Sequence, residues 1–299
     1  MTDRNRTVLV GIDGSEGADE AVRWAARLAE GRDLELELVH CLQVAGLAYG
    51  GGLAGSDVLF EGMQKDGERI AAEARELALS IDPSLEVRTN VYTDSAAALL
   101  IDRSRKARMV VVGRTGTGGF TGMLVGATTS AVASHARCPV AVVRGRHGDG
   151  PVPLDGPVAV GIDGSPNSEA AIATAFEEAS FRGVPLVAVH AWVDVVYDST
   201  ASTARLMPQW ETLQPNEERL LAERLAGWQE KYPDVEVQRR LVRDRPRHAL
   251  LDESDRAQLV VVGSHGRGGF AGMLLGSTSQ AMIHHASCPV LVVRPEPQR

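Results

Sequence analysis

Two stretches of the chain carry residue types suited to holding an anion. Gly263-Ser-His-Gly-Arg-Gly-Gly-Phe-Ala-Gly-Met-Leu-Leu-Gly-Ser-Thr278 follows the apolar run Leu259-Val-Val-Val262 and precedes a predicted helix over Thr278–His285. A glycine-dense loop between a buried strand and a helix can turn its main-chain N–H groups toward a phosphate, and the helix dipole adds partial positive charge. Near-twin residues run from Gly113 to Thr128. Neither loop contains the Gly-Lys-Ser/Thr of a Walker loop. Phosphate there must be neutralised by N–H groups, hydroxyls, a metal, or arginines such as Arg114 and Arg267. Charge-assisted hydrogen bonds contribute roughly 1.5–3 kcal/mol each. Four or five of them, offset by ordering costs, suffice for about −8 kcal/mol, which is micromolar affinity. Fast phosphoryl transfer needs more, namely a positioned base or water-holding group. No such constellation repeats in both stretches.

Other polar residues sit where strands should end. Asp13 and Asp163 close the twin motifs Val10-Gly-Ile-Asp-Gly-Ser15 and Val160-Gly-Ile-Asp-Gly-Ser165. Each is either a ligand contact or a turn former bonding the Gly-Ser backbone beside it. His40 and His190 lie in apolar runs, where a satisfied core histidine is the expectation. His284 and His285 are adjacent on a helix, so their side chains diverge and a shared metal is not expected. Arg239, Arg240, Arg243 and Arg245 alternate along a strand as a solvated face would.

The elements that must position these residues come in two copies. Asp13 and Asp163, His40 and His190, Gly113 and Gly263, and Cys138 and Cys288 are all separated by 150 residues. A constant shift from end to end means duplication of a whole domain. We assign domains to 1–146 and 157–299, joined by 147–156, whose density of Gly, Pro and Asp suits a solvated linker. In the first copy strands are predicted at Thr7–Ile12, Leu34–Cys41, Leu85–Tyr92, Met109–Val112 and Val140–Arg144. Ser15 can cap a helix whose apolar face is Ala18, Ala21, Val22, Ala25, Leu28 and Ala29, with Gly31 ending it. A Gly/Ala-rich loop over 45–55 leads to a helix through Ile70, Ala74 and Leu77. Further helices are expected from Asp94-Ser95 to near Ala107 and over Thr128–Ala136. Second-copy strands fall near Val158, Leu186, Val235, Leu259 and Val290. Alternating strands and helices imply an α/β fold with a parallel sheet covered on both faces. Ligands in such sheets bind beyond the strands' carboxyl ends, where the strand order reverses.

These motifs together resemble the universal stress protein family, in its tandem form and ATP-binding subclass. That subclass carries Gly, two residues, Gly, nine residues, then Gly and Ser or Thr. The second copy matches with Gly263, Gly266, Gly276 and Ser277. The first gives Gly113, Gly116 and Gly126 but then Ala127, with Thr128 adjacent. The resemblance implies two Rossmann-like, adenine nucleotide α-hydrolase-like domains, each with five parallel strands in the order 3-2-1-4-5. It implies one ATP per domain, with Mg²⁺ able to accompany the phosphates. By similarity, Gly11, Ile12 and Asp13, or Gly161, Ile162 and Asp163, would lie beside the adenosine, and Cys41 and Ala191 would touch adenine through main-chain atoms. Gly113, Gly116, Gly126, Ala127 and Thr128 would hold ribose and phosphates in one half. Gly263, Gly266, Gly276, Ser277 and Thr278 would do so in the other. The expected function is a non-enzymatic, nucleotide-sensing regulator of stress response or growth state, with at most weak hydrolysis. A nucleotide-free scaffold, a slow ATPase, and a carrier of another adenine ligand are the alternatives.

Composition bounds the partners. A formal net charge of −8 argues against non-specific nucleic-acid binding. No apolar run approaches the ~20 residues of a membrane span. Met1–Thr7 lacks the apolar core of a signal peptide, and Cys41, Cys138 and Cys288 form no CxxC pair, so a reduced cytoplasmic setting is expected. Val140-Ala-Val-Val143 and Val290-Leu-Val-Val293 read as apolar edge strands that invite pairing. Strand five is therefore expected to serve an intramolecular pseudo-dimer and a homodimer. Ala127 removes one hydroxyl, worth ~1 kcal/mol. ATP titrated into the separated halves should bind the second several-fold more tightly, and a tighter first half would refute this.

Overall fold

The structure is a computed structural model that describes residues 6–42, 56–116, 125–147, 150–192, 210–266 and 274–295. The loop expected over 45–55 lies outside these residues, as do the middles of both glycine loops and Arg267. Two compact units are present, Met1–Arg144 and Gly145–Arg299.

The first unit runs β1 (Thr7–Ile12), α1 (Glu16–Ala29), β2 (Glu35–Cys41), α2 (Ser56–Ile81), β3 (Glu86–Tyr92), α3 (Ala96–Arg103), β4 (Met109–Gly113), α4 (Ala127–His135) and β5 (Val140–Val143). Its strands pair in parallel in the order β3-β2-β1-β4-β5. The second unit repeats this with β6 (Val158–Gly161), α5 (Pro166–Arg182), β7 (Leu186–Ala191), α6 (Trp210–Lys231), β8 (Val237–Val242), α7 (Pro246–Ser254), β9 (Leu259–Gly263), α8 (Ser277–His285) and β10 (Val290–Val293). Its order is β8-β7-β6-β9-β10.

Parallel strands require right-handed crossovers, and the direction of travel across the sheet decides the face. The chain moves one way from β1 to β3, so α1 and α2 share a face and pack together. It then jumps to β4 and moves the other way, putting α3 and α4 together on the opposite face. The reversal falls between β1 and β4. Both strands are buried apart from their carboxyl-terminal glycines and a few flanking positions, and their valines form the centre of the core. All six apolar residues expected on the inner face of α1 are buried, and Trp24 and Ala26 join them.

Three sequence readings need adjustment. α3 stops at Arg103 rather than near Ala107. Ser104 Oγ donates to the Ile101 carbonyl at 2.6 Å and accepts the Arg137 N–H at 2.8 Å. That tertiary bond fixes the helix end, and Ser254 takes the same two partners in the second unit, Leu251 O at 2.6 Å and Ser287 N at 3.0 Å. β8 begins at Val237, with Val235 buried in the preceding turn. The segment read as a solvated linker is bonded to the second unit. At its end the Gly156 carbonyl accepts from Gln258 Nε2 at 2.6 Å, and just before it Arg146, assigned above to the first domain, donates to the carbonyls of Ser254 and Asp255.

In the second unit α5 is held to α6 by aromatic contacts. Phe176, fully buried, has its ring centroid 6.3 Å from Trp228 and 5.8 Å from Tyr232. Truncating such a ring removes both burial and ring contacts. Phe176→Ala should therefore lower the stability of the second unit by about 3–5 kcal/mol in denaturant unfolding.

Candidate functional site

β1 ends in Gly11, Ile12 and Asp13, and the turn into α1 is built by the aspartate. Asp13 Oδ1 accepts from the Ser15 N–H at 3.1 Å and the Ser15 hydroxyl at 2.6 Å. Ser15 Oγ in turn caps α1, accepting the Ala18 N–H at 3.2 Å. The second unit repeats the arrangement, with Asp163 Oδ1 accepting the Ser165 N–H at 2.9 Å and Ser165 Oγ the Ser168 N–H at 3.3 Å. The turn-forming reading of the aspartates is therefore correct for one carboxylate oxygen. The other faces the glycine loop. A Cβ on Gly116 would stand 2.0 Å from Asp13 Oδ2, and one on Gly266 would stand 2.6 Å from Asp163 Oδ2. Any side chain there would displace the carboxylate.

Gly113 and Gly263 serve a second close approach. A Cβ on Gly113 would meet the Gly17 carbonyl at 2.4 Å, so the first turn of α1 lies directly on the end of β4. Part of the glycine signature is thus demanded by helix packing rather than by a ligand. The base of each loop is then closed by backbone bonds, Gly126 N–H to Arg114 O at 2.8 Å and Gly276 N–H to Ser264 O at 2.7 Å. Thr129 Oγ1 donates to Gly113 O at 2.8 Å, and Ser279 Oγ to Gly263 O at 2.6 Å. Sequence reasoning missed these two hydroxyls. Their signal was a hydroxyl at matching positions of both copies.

The result in the first unit is a cleft of about 600 Å³ at the β1/β4 reversal, within the range of small-molecule sites. Its lining brings together every first-copy residue expected there, namely Gly11, Ile12, Asp13, Cys41, Gly113, Gly116, Gly126, Ala127 and Thr128. It also includes Thr93, Asp94 and Ser95 from the β3–α3 turn, and Leu42 and Leu100 as apolar walls. These were not anticipated, although Asp94 has a twin in Asp244. In the second unit Gly161 ends β6, Ile162 and Asp163 follow it, Ala191 ends β7, Gly263 ends β9, and Gly276, Ser277 and Thr278 open α8.

The electrostatics follow from the helix ends. α3 and α4 both begin at the cleft, at Ser95 and Gly126, and neither receives a side-chain cap bond or carries an acidic residue in its first turn. α1 differs, with a capping serine and Glu16 and Asp19 in its first turn. The first N–H groups of α3 and α4 therefore place partial positive charge at the cleft, which the Asp13 and Asp94 carboxylates also line. The same absence of caps and first-turn acids holds for α7 and α8.

His40 and His190 brace the floor from below. His40 Nδ1 lies 3.0 Å from the Ile12 carbonyl, and His190 Nδ1 lies 2.7 Å from that of Ile162. His190 Nε2 additionally meets Glu217 at 2.8 Å, where the first unit has Gly67 against His40. Both rings are buried and hydrogen-bonded, as expected of core histidines.

Comparison with known proteins bears on this geometry. The sequence profile of the universal stress protein family matches residues 4–144 and 156–294. The chain belongs to the universal stress protein family. It carries two of the family's domains in tandem. A universal stress protein of Mycolicibacterium smegmatis is 45% identical over 293 residues, covering 96% of this chain and 97% of that protein. One from Mycobacterium tuberculosis H37Rv is 43% identical over 290 residues, covering 96% of each. Among solved structures, a universal stress protein from Archaeoglobus fulgidus aligns with a TM-score of 0.69 at 18% identity, covering 98% of this chain and all of that one. These matches agree with the tandem α/β fold. Among the described residues no helix of this universal stress protein is long and apolar enough to cross a membrane.

Cys41 lines the first cleft beside Asp94. Burial, helped by the Asp94 charge, pushes its thiol up to about 11. A raised value disfavours thiolate, the nucleophilic form, throughout the neutral range. Alkylation of Cys41 by iodoacetamide at pH 7, followed by mass spectrometry, should be far slower than that of a free thiol and should accelerate as the pH approaches 11.

Proposed function

We propose that each unit binds an adenine nucleotide, ATP in the first instance, and that the chain acts as a non-enzymatic sensor reporting nucleotide state in stress or growth control. The observation that carries this reading is the convergence of two uncapped, acid-free helix N-termini and the Asp13 carboxylate on one cleft at the sheet's reversal point. Main-chain N–H groups of α4, with Thr128 beside them, suit phosphate oxygens. Leu42, Leu100 and the backbone at Cys41 give an apolar slot for a base, and Asp13 suits a ribose hydroxyl. Mg²⁺ would arrive with the phosphates, keeping several of its waters as it does in such sites.

Binding without turnover fits the same residues. The described lining of the first cleft includes no lysine, arginine or histidine, and Asp13 already spends one oxygen on Ser15. A cytoplasmic setting and pairing with a second chain through the apolar strands β5 and β10 complete the proposal.

ATP at a hundredfold excess over its dissociation constant should stabilise the chain by about 2.7 kcal/mol per linked site, read as a rise in melting temperature. Asp13→Ala combined with Asp163→Ala should remove most of that rise. No ATP-dependent shift in the wild-type chain would leave a scaffold instead. Phosphate release at about 1–100 per second, the range of efficient kinases, would make it an enzyme.

A further inference from the structure

The two units share a backbone but differ in the turn and first helical residues that, in the first unit, border the cleft. Thr93, Ser95 and Ala97 in the first unit are replaced by Arg243, Arg245 and Arg247 in the second. The correspondence is structural as well as numerical. Tyr92 pairs with Cys41 at the end of β3, and Val242 pairs with Ala191 at the end of β8, so the turns that follow leave the sheet at the same level. Thr93 and Ser95 line the first cleft. All three arginines are exposed. Asp94 is retained as Asp244, whose Oδ1 accepts the Arg245 N–H at 2.6 Å and lies 3.4 Å from His248 Nδ1, so that carboxylate is occupied locally. One exchange runs the other way, Ser264 standing at the position that Arg114 holds in the first unit. Over these positions the charges sum to zero in the first unit and to +2 in the second.

Resting on the nucleotide-site reading above, we propose that Arg243, Arg245 and Arg247 set ligand charge specificity, so that the second cleft selects polyphosphorylated adenine nucleotides and the first discriminates little between mono- and triphosphate. The physical basis is additive. In the first cleft the helix ends act beside the Asp13 and Asp94 carboxylates, with no cation among the described lining residues. In the second, the same helix ends are joined by guanidinium groups at the start of α7, whose first turn has no acidic residue to oppose them. A rim cation several ångströms from the ligand interacts with every phosphate charge, so its effect grows with ligand charge and falls with salt. ATP differs from AMP by two such charges. At exposed-site dielectric this corresponds to about tenfold in relative affinity.

The test uses the full chain in two reciprocal exchanges, R243T/R245S/R247A and T93R/S95R/A97R, all at exposed or partly exposed positions. ATP and AMP are titrated calorimetrically at low and physiological ionic strength. In the first exchange the ATP-over-AMP preference of one site should fall about tenfold. In the second the preference of the other site should rise by a similar factor, and both changes should shrink with salt. Unchanged preferences in both exchanges, with nucleotide still bound, would overturn this proposal and leave the binding reading intact. Absence of any ATP or AMP binding by the wild-type chain would overturn both.

Discussion

The carboxylate of Asp13 against Gly116 is the contact on which the site depends. β1 lies at the middle of its sheet, with β2 on one side and β4 on the other. Its chain must leave toward one helical layer while β4 leaves toward the other. Oδ1 makes the first departure by bonding Ser15, and Oδ2 sits against the second at a distance that a Cβ could occupy only by moving the carboxylate. A cleft opens because the two exits diverge, and a carboxylate stands in it because the same residue makes the turn. Asp163 and Gly266 reproduce the contact. A side chain at these loop positions would have to move the aspartate's carboxylate, so glycine leaves that carboxylate where it stands.

This bears on what glycine spacing can and cannot reveal. Gly113 was read as a phosphate contact from its place in the motif. It lines the cleft, yet its missing side chain is also required by the Gly17 carbonyl of α1. Two demands on one residue leave one letter in the sequence. The hydroxyls of Thr129 and Ser279 are the converse case. They tie the start of α4 and α8 to the ends of β4 and β9, but serine and threonine are common enough that only the duplication distinguished them.

The parallel sheet and its helical layers were legible because they rest on local pattern and on the 150-residue repeat, whereas the strand order came from the family resemblance. Apolar runs of four or five residues alternating with helical periodicity leave few topologies open. Where the reading failed, the deciding bond was distant in sequence. α3 ends where Ser104 accepts an N–H from Arg137, thirty-three positions away. The connector beyond Arg144 was read from composition, which registers turn propensity but not docking. Its guanidinium at Arg146 reaches carbonyls more than a hundred positions on.

Duplication also separates what the fold requires from what each cleft has been free to change. Asx turns, capping serines, loop-closing hydroxyls and the serine that stops α3 or α7 recur in both units, and each holds backbone in place. The differences lie on side chains that the backbone does not need. Glu217 meets His190 where Gly67 lies against His40, and arginines stand where the first rim has threonine, serine and alanine. Uncapped, acid-free helix starts recur in both units and give each the same main-chain floor of partial positive charge, because that depends on chain direction alone. Charge at the rim is independent of that floor. A duplicated scaffold of this kind can therefore hold one binding geometry constant while its two copies diverge in the ligands they prefer.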